Sequence, residues 1–178
     1  SSPSRGLGDV YKRQFQGFVH QGIHHILIGY DHILFLLTLL FPAVLVWQRG
    51  GWQPAPTMRG ALTQTLAIVT AFTVTHSLTL ALATLGIITL PTWLVESAIA
   101  LTVALGAAAN LLPGLFPKRW IMAFVFGLVH GLGFASVLAD LGLMGDGIVL
   151  PLLGFNIGVE LGQIAIVLLF VPLAYLAR

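Results

Sequence analysis

The chain has 178 residues, 57 % of them hydrophobic and only 8 % charged, with a formal net charge of +2. A soluble domain of this length needs about a quarter of its residues charged to cover its surface, so lipid must be the outer solvent. The few Lys and Arg residues are scattered over segment ends and form no basic stripe, which excludes nucleic acid as a partner. The absence of Cys excludes disulfides, thiolate metal sites and iron–sulfur clusters.

Residues 1–14 (SSPSRGLGDVYKRQ) hold no apolar run of signal-peptide type. They read as a foreign or disordered segment, with the domain proper at 15–178. Five apolar segments follow, at about 18–47, 62–85, 93–112, 120–138 and 148–176. Each is near or above the roughly 20 residues that carry a helix across the hydrocarbon core. Open strands would leave backbone groups unpaired in lipid, so the expected fold is all-α: a polytopic transmembrane helix bundle with five spans.

In chain order, the first span carries His20, His24, His25, Asp31 and His32, and is followed by Arg49-Gly50-Gly51 with Pro54 and Pro56. The second carries His76 among Thr73, Thr75 and Ser77, before the break at Pro91. Glu96 opens the third, which stops at Pro113-Gly114; His130 lies in the fourth; Asn156, Glu160 and Gln163 lie in the fifth. Trp47, Trp52, Trp93 and Trp120 fall at span ends, where indole rings favour the headgroup level.

Arg49, Arg59, Lys118, Arg119 and Arg178 all fall in loops or ends on one side of such a bundle. The positive-inside rule makes that side cytoplasmic and the N-terminus extracytoplasmic. A rise of about 1.5 Å per residue then places His24 about 10 Å below the outer boundary, and Asp31 and His32 about 20 Å below it. His76, His130 and Asn156 come to about 12–15 Å and Glu160 to about 18 Å, with Glu96 shallower. A charge in mid-helix costs about 2.5–3.5 kcal/mol on insertion scales, so grouping them in the outer half and midplane points to one polar cluster reached from outside.

Within the first span, His20 and His24 are four apart, the spacing that lets two imidazoles share an ion. His24 with Asp31, and His25 with His32, share a face but lie about 10 Å apart along a straight axis. Either the helix opens near Gly29, or these groups form a ladder of successive sites along a path. A single intramembrane His or Asn commonly serves interhelical hydrogen bonding; three ionisable groups within eight residues call for a further role. The expected metal-handling residues are His24, His25, Asp31, His32, His76, His130 and Glu160, supported by His20, Glu96, Asn156 and Gln163. Imidazole and carboxylate without thiolate suit nickel, cobalt, zinc, iron or copper, and ligand type alone does not choose among them. No catalytic residue or organic cofactor is expected.

Several motifs resemble the HupE/UreJ family of bacterial membrane proteins. They are the His25-x5-Asp31-His32 element in its Leu-rich span, the run from Phe72 to Leu80 around His76, and Val95-Glu96. The run from Phe126 to Phe134 around His130, and that from Phe155 to Gln163, complete the set. The resemblance covers 15–178 and implies a secondary permease for nickel or cobalt in the bacterial inner membrane, with His25, Asp31 and His32 on the metal path. Hydrogenase-linked members carry two histidines and a following glutamate in the fourth span; Phe126 and Gly133 stand at the first-His and Glu positions here. This places the chain nearer the broader branch, whose membrane part often follows an extracytoplasmic domain. It also implies that the chain is truncated at both ends. The alternatives to a permease are a membrane-embedded metalloenzyme and a metal-delivery or anchor subunit without transport.

Overall fold

The computed structural model describes residues 3–112, 118–134 and 148–178. Helix α1, Pro3–Ile28, begins within the segment set apart above. Helix α2, Tyr30–Leu40, follows after a single residue, and the axis turns by 68° between them. Gly29 stands at the corner in an extended conformation (φ −70°, ψ 103°). A Cβ there would sit 2.7 Å from the His25 carbonyl and 3.2 Å from both Asp31 Oδ1 and His32 Nδ1, so the corner has room only for glycine. The backbone N–H of His32 is left open at the new helix start, and Asp31 Oδ1 accepts it at 2.9 Å, as an acidic group in a first turn does.

The span expected over 18–47 ends as a helix at Leu40. Leu45–Gln48 is strand β1, paired antiparallel with β2, Gly51–Pro54, with Trp47 opposite Trp52. The turn residues Arg49 (φ 52°) and Gly50 (φ 80°) both have positive φ, the two-residue hairpin turn that matches strand twist. The all-α expectation is therefore corrected by one hairpin. Its short apolar run is compatible with either period, and cross-strand pairing, which the linear pattern does not reveal, decided it.

Helix α3, Met58–Thr84, is capped by Thr57, whose hydroxyl accepts from Gly60 N–H at 3.1 Å. Then come α4, Thr92–Leu111, α5, Arg119–Gly133, and α6, Val149–Ala177. By length and composition α3, α4 and α6 are long and apolar enough to cross a membrane, and α1 with α2 makes a fourth span if the bent pair counts as one. Helix α5 has 15 residues, about 22 Å of rise; beyond Phe134 the expected fourth span lies outside the described residues.

Close approaches give the helix directions. Gly127 meets Phe72 and Thr75 while Gly131 meets His76 and Thr79, so α3 and α5 run the same way. Gly154, Gly158 and Gly162 meet Phe15 and Phe18, Val19, and Ile26 in turn, so α1 and α6 do too. Against these, α5 opposes α4, with Thr102 beside His130 and Gly106 beside Phe126, and α6 opposes α3, with Pro56 bonded to Tyr175 and Thr70 to Glu160. The result is an alternating bundle. In lipid apolar burial gives helices no reason to associate, and glycine faces that admit a neighbouring backbone supply the packing instead.

Phe35, Phe72, Met122 and Phe126 form one buried apolar cluster, and Ile26, Leu40, Val69, Phe155 and Val159 belong to another. At one end of the bundle the Arg119 guanidinium lies 5.5 Å from the Trp52 ring centre, and Tyr175 donates to the Pro56 carbonyl at 3.3 Å. These contacts gather the segments carrying Arg49, Arg59, Lys118, Arg119 and Arg178 at that same end.

Candidate metal site

The corner at Gly29 makes the site. On a straight helix His25 and His32 would stand about 10 Å apart along the axis; the bend brings their ring centres to 4.5 Å. With α2 starting beside α4, Asp31 lines one groove with Glu96, Ile99, Ala100, Val103 and Ala104 of α4.

His32 is the hub, with the His130 ring centre at 5.2 Å and that of His76 at 5.8 Å. His32, His76 and His130 are 3 %, 0 % and 1 % exposed. Asp31, His32 and His130 each offer a ligand atom, and these atoms all lie within 4.8 Å of one another, close enough to hold a metal ion. Phe72, Phe134 and Phe155 pack their rings against the imidazoles and make the walls apolar.

Hydrogen bonds assign the free lone pairs. Asp31 Oδ1 lies 3.1 Å from His32 Nδ1; a carboxylate accepts, so Nδ1 carries the proton and Nε2 is free. Thr102 donates its hydroxyl to the Ile99 carbonyl at 2.6 Å. It therefore accepts from His130 Nε2, 2.9 Å away, leaving Nδ1 of His130 free. His32 Nε2, His130 Nδ1, His25 Nε2 and both ring nitrogens of His76 are buried with no hydrogen-bond partner among the described residues. A ring held through one nitrogen with the other open is the arrangement metal-binding histidines adopt.

The remaining sequence candidates lie apart from this hub. His20 and His24 stack with ring centres 6.3 Å apart, but both are exposed on α1. Glu160 and Gln163 pair with hydroxyls of α3: Thr70 donates to Glu160 Oε1, and Thr73 to Gln163 Oε1, each at 2.7 Å. Asn156 Oδ1 is buried without a partner among the described residues. Glu96 is exposed and shares with Asp31 an open groove of about 530 Å³ between α2 and α4, otherwise walled by Leu34, Ile99, Ala100, Val103 and Ala104. Thr102, which orients His130, escaped the sequence reading. Its signal was a hydroxyl on the stripe Val95, Ile99, Thr102, Gly106 that α4 buries.

Phe126, at the position where hydrogenase-linked relatives are expected to carry a histidine, packs its ring 5.6 Å from that of Phe35. At Gly133 a Cβ would meet Ile99 at 2.8 Å. Both positions therefore serve packing against α2 and α4. Comparison with curated proteins gave no match, and comparison with solved structures gave none. The family described as HupE / UreJ protein matches residues 5–178. With its membrane helices and its buried Asp/His cluster, the chain belongs to the HupE/UreJ family.

Proposed function

We propose that the protein is a permease for a divalent transition-metal ion, with nickel or cobalt favoured. The observation that carries this reading is the set of ring nitrogens on His25, His32, His76 and His130, around one hub, that have no partner among the described residues. Buried polar atoms without partners cost about 1–3 kcal/mol each; several gathered at one point are tolerated when a cation satisfies them together. His25, His32, His76 and His130 ligate, and Asp31 orients His32 and offsets charge. The set leaves out His20 and His24, which are exposed, and assigns Glu160 elsewhere. In this reading α5 counts as a crossing, the end holding Arg49, Arg119 and Arg178 faces the cytoplasm, and the ion arrives from the extracytoplasmic side along the Glu96–Asp31 groove. Alternating helix directions and the shared basic end support that topology.

Uptake of Ni²⁺ or Co²⁺ into proteoliposomes tests it. Wild type is expected to accumulate the ion and His32→Ala to lose uptake. Equal uptake by both proteins would end the permease reading, and a bound, non-exchanging metal without flux would favour the metalloenzyme alternative.

A further inference from the structure

The imidazole hub leaves the basic end of the bundle without a role. Arg49, Arg59, Lys118 and Arg178 are exposed there, whereas Arg119, the first residue of α5, is half-buried. A guanidinium drawn out of water needs partners for its charge and its five N–H groups. Trp52 supplies the first, with its ring centre 5.5 Å from Arg119 Cζ. Trp47, opposite Trp52 across the hairpin, packs its own ring against it at 5.4 Å between centres. The hairpin thus braces the guanidinium from one side. A ring attracts a cation through its face and offers the N–H groups no oxygen. No carboxylate offers one either, since the only ion pair among the described residues joins Asp31 to His32. Nor does Arg119 donate a hydrogen bond among those residues.

Beside the guanidinium lies a cavity of about 30 Å³, lined by Arg119, Gln64 and Thr65 and backed by Leu39, Pro42 and Ile68. That is room for about two water-sized groups. Thr65 turns its proton to the Ala61 carbonyl at 2.7 Å, so the donors lining the cavity are the guanidinium and the Gln64 amide. Such a space suits the oxygens of one small anion. Exposed indoles mark its depth: Trp120 follows Arg119 directly and is 53 % exposed, and Trp47 is 46 % exposed. Indoles settle at the headgroup level, where lipid phosphates lie.

We propose that Arg119, braced by Trp52, binds the phosphate of an anionic phospholipid in the leaflet at the basic end. A planar guanidinium fork meets two phosphate oxygens at once, and a ring against one face leaves its in-plane donors free to do so. The exposed Arg49, Arg59, Lys118 and Arg178 add attraction for an anionic surface, which selects net-negative headgroups over zwitterionic ones. The site is independent of which ion the hub takes.

Native mass spectrometry of the detergent-solubilised chain counts bound molecules as phosphatidylglycerol, phosphatidylcholine or inorganic phosphate is added. Wild type is expected to take one phosphatidylglycerol about tenfold more tightly than phosphatidylcholine, or better. Arg119→Gln should lose about tenfold in phosphatidylglycerol affinity, the usual size of hydrogen bonds to a charged group, with phosphatidylcholine unchanged. Arg59→Gln removes an exposed charge at the same end, outside the cavity lining, and should change that affinity by less than about twofold. Arg119→Lys keeps the charge without the fork and should lose about threefold or more; it decides the matter if Arg119→Gln does not fold. Equal losses in Arg59→Gln and Arg119→Gln would mean a diffuse basic surface and overturn the site. Equal affinity of wild type for the two lipids overturns it as well, as does an Arg119→Lys protein that binds like wild type. Inorganic phosphate that displaces the lipid at matched concentration would mark a site for a free anion and overturn the lipid assignment.

Discussion

His76 offers the sharpest test of the site, because its two roles have opposite signs. Its side chain is fully buried and neither ring nitrogen has a hydrogen-bond partner among the described residues. Replacing it with Leu removes two unsatisfied polar atoms from an apolar setting. Each such atom costs about 1–3 kcal/mol in water-soluble proteins. The figure is smaller in lipid, where interhelical polar contacts average about 0.6 kcal/mol because the unfolded chain also finds partners. Against that gain stands the ring stacked on Phe72 at 5.8 Å, an aromatic contact of about 0.5–1.5 kcal/mol. Without metal, His76→Leu should therefore be as stable as wild type or more stable by about 1 kcal/mol. With metal the order reverses. Wild type gains about 2.7 kcal/mol when free ion stands at about 100 times Kd, and the variant, short of one ligand, gains far less. Thermal unfolding in detergent, with chelator and then with Co²⁺, reads both arms. A variant destabilised by more than about 1 kcal/mol in chelator, yet shifted by Co²⁺ as far as wild type, would show that His76 is a packing residue and refute the reasoning.

Two further substitutions separate charge from geometry. Asp31→Asn keeps an oxygen to accept from His32 but removes the negative charge. Co²⁺ affinity by titration should fall about 10–100-fold, the usual effect of losing such an orienting carboxylate, and a change below about threefold would speak against the role given to Asp31. Gly131→Val leaves every ligand in place, but its Cβ would collide with Thr79 and with the His76 carbonyl. Backbone cannot yield as a side chain can, so α5 must back away from α3 and carry His130 out of the hub. Co²⁺ binding should be lost there and kept in Gly17→Ala, where a Cβ meets nothing within 4 Å; retained binding in Gly131→Val would break the link between helix packing and the site.

Much of the membrane architecture was legible in composition. The segments at 62–85, 93–112 and 148–176 correspond to α3, α4 and α6 within a few residues, because a run of about 20 apolar residues in lipid has one way to satisfy its backbone. The hairpin was not legible, since four residues such as Leu45–Gln48 fit either period and the pairing that settles the matter is with β2. The candidate residues His25, Asp31, His32, His76 and His130 were legible as polar groups that insertion makes costly. Thr102, which orients His130, was not, because a single Thr in an apolar helix is unremarkable until its neighbour is known.

The sequence by itself determined that the chain lives in lipid, where its long apolar helices α3, α4 and α6 lie, and which side chains lipid would reject. Tertiary structure decided which of those side chains meet. His20 and His24 have the better metal-binding spacing along the chain and lie exposed on α1, whereas His25 and His32 have a poor spacing and stand 4.5 Å apart. The reason is the 68° corner at Gly29. Spacing rules assume a straight helix, and one residue with room for no side chain folds that axis back to carry His32 against helices from the rest of the chain.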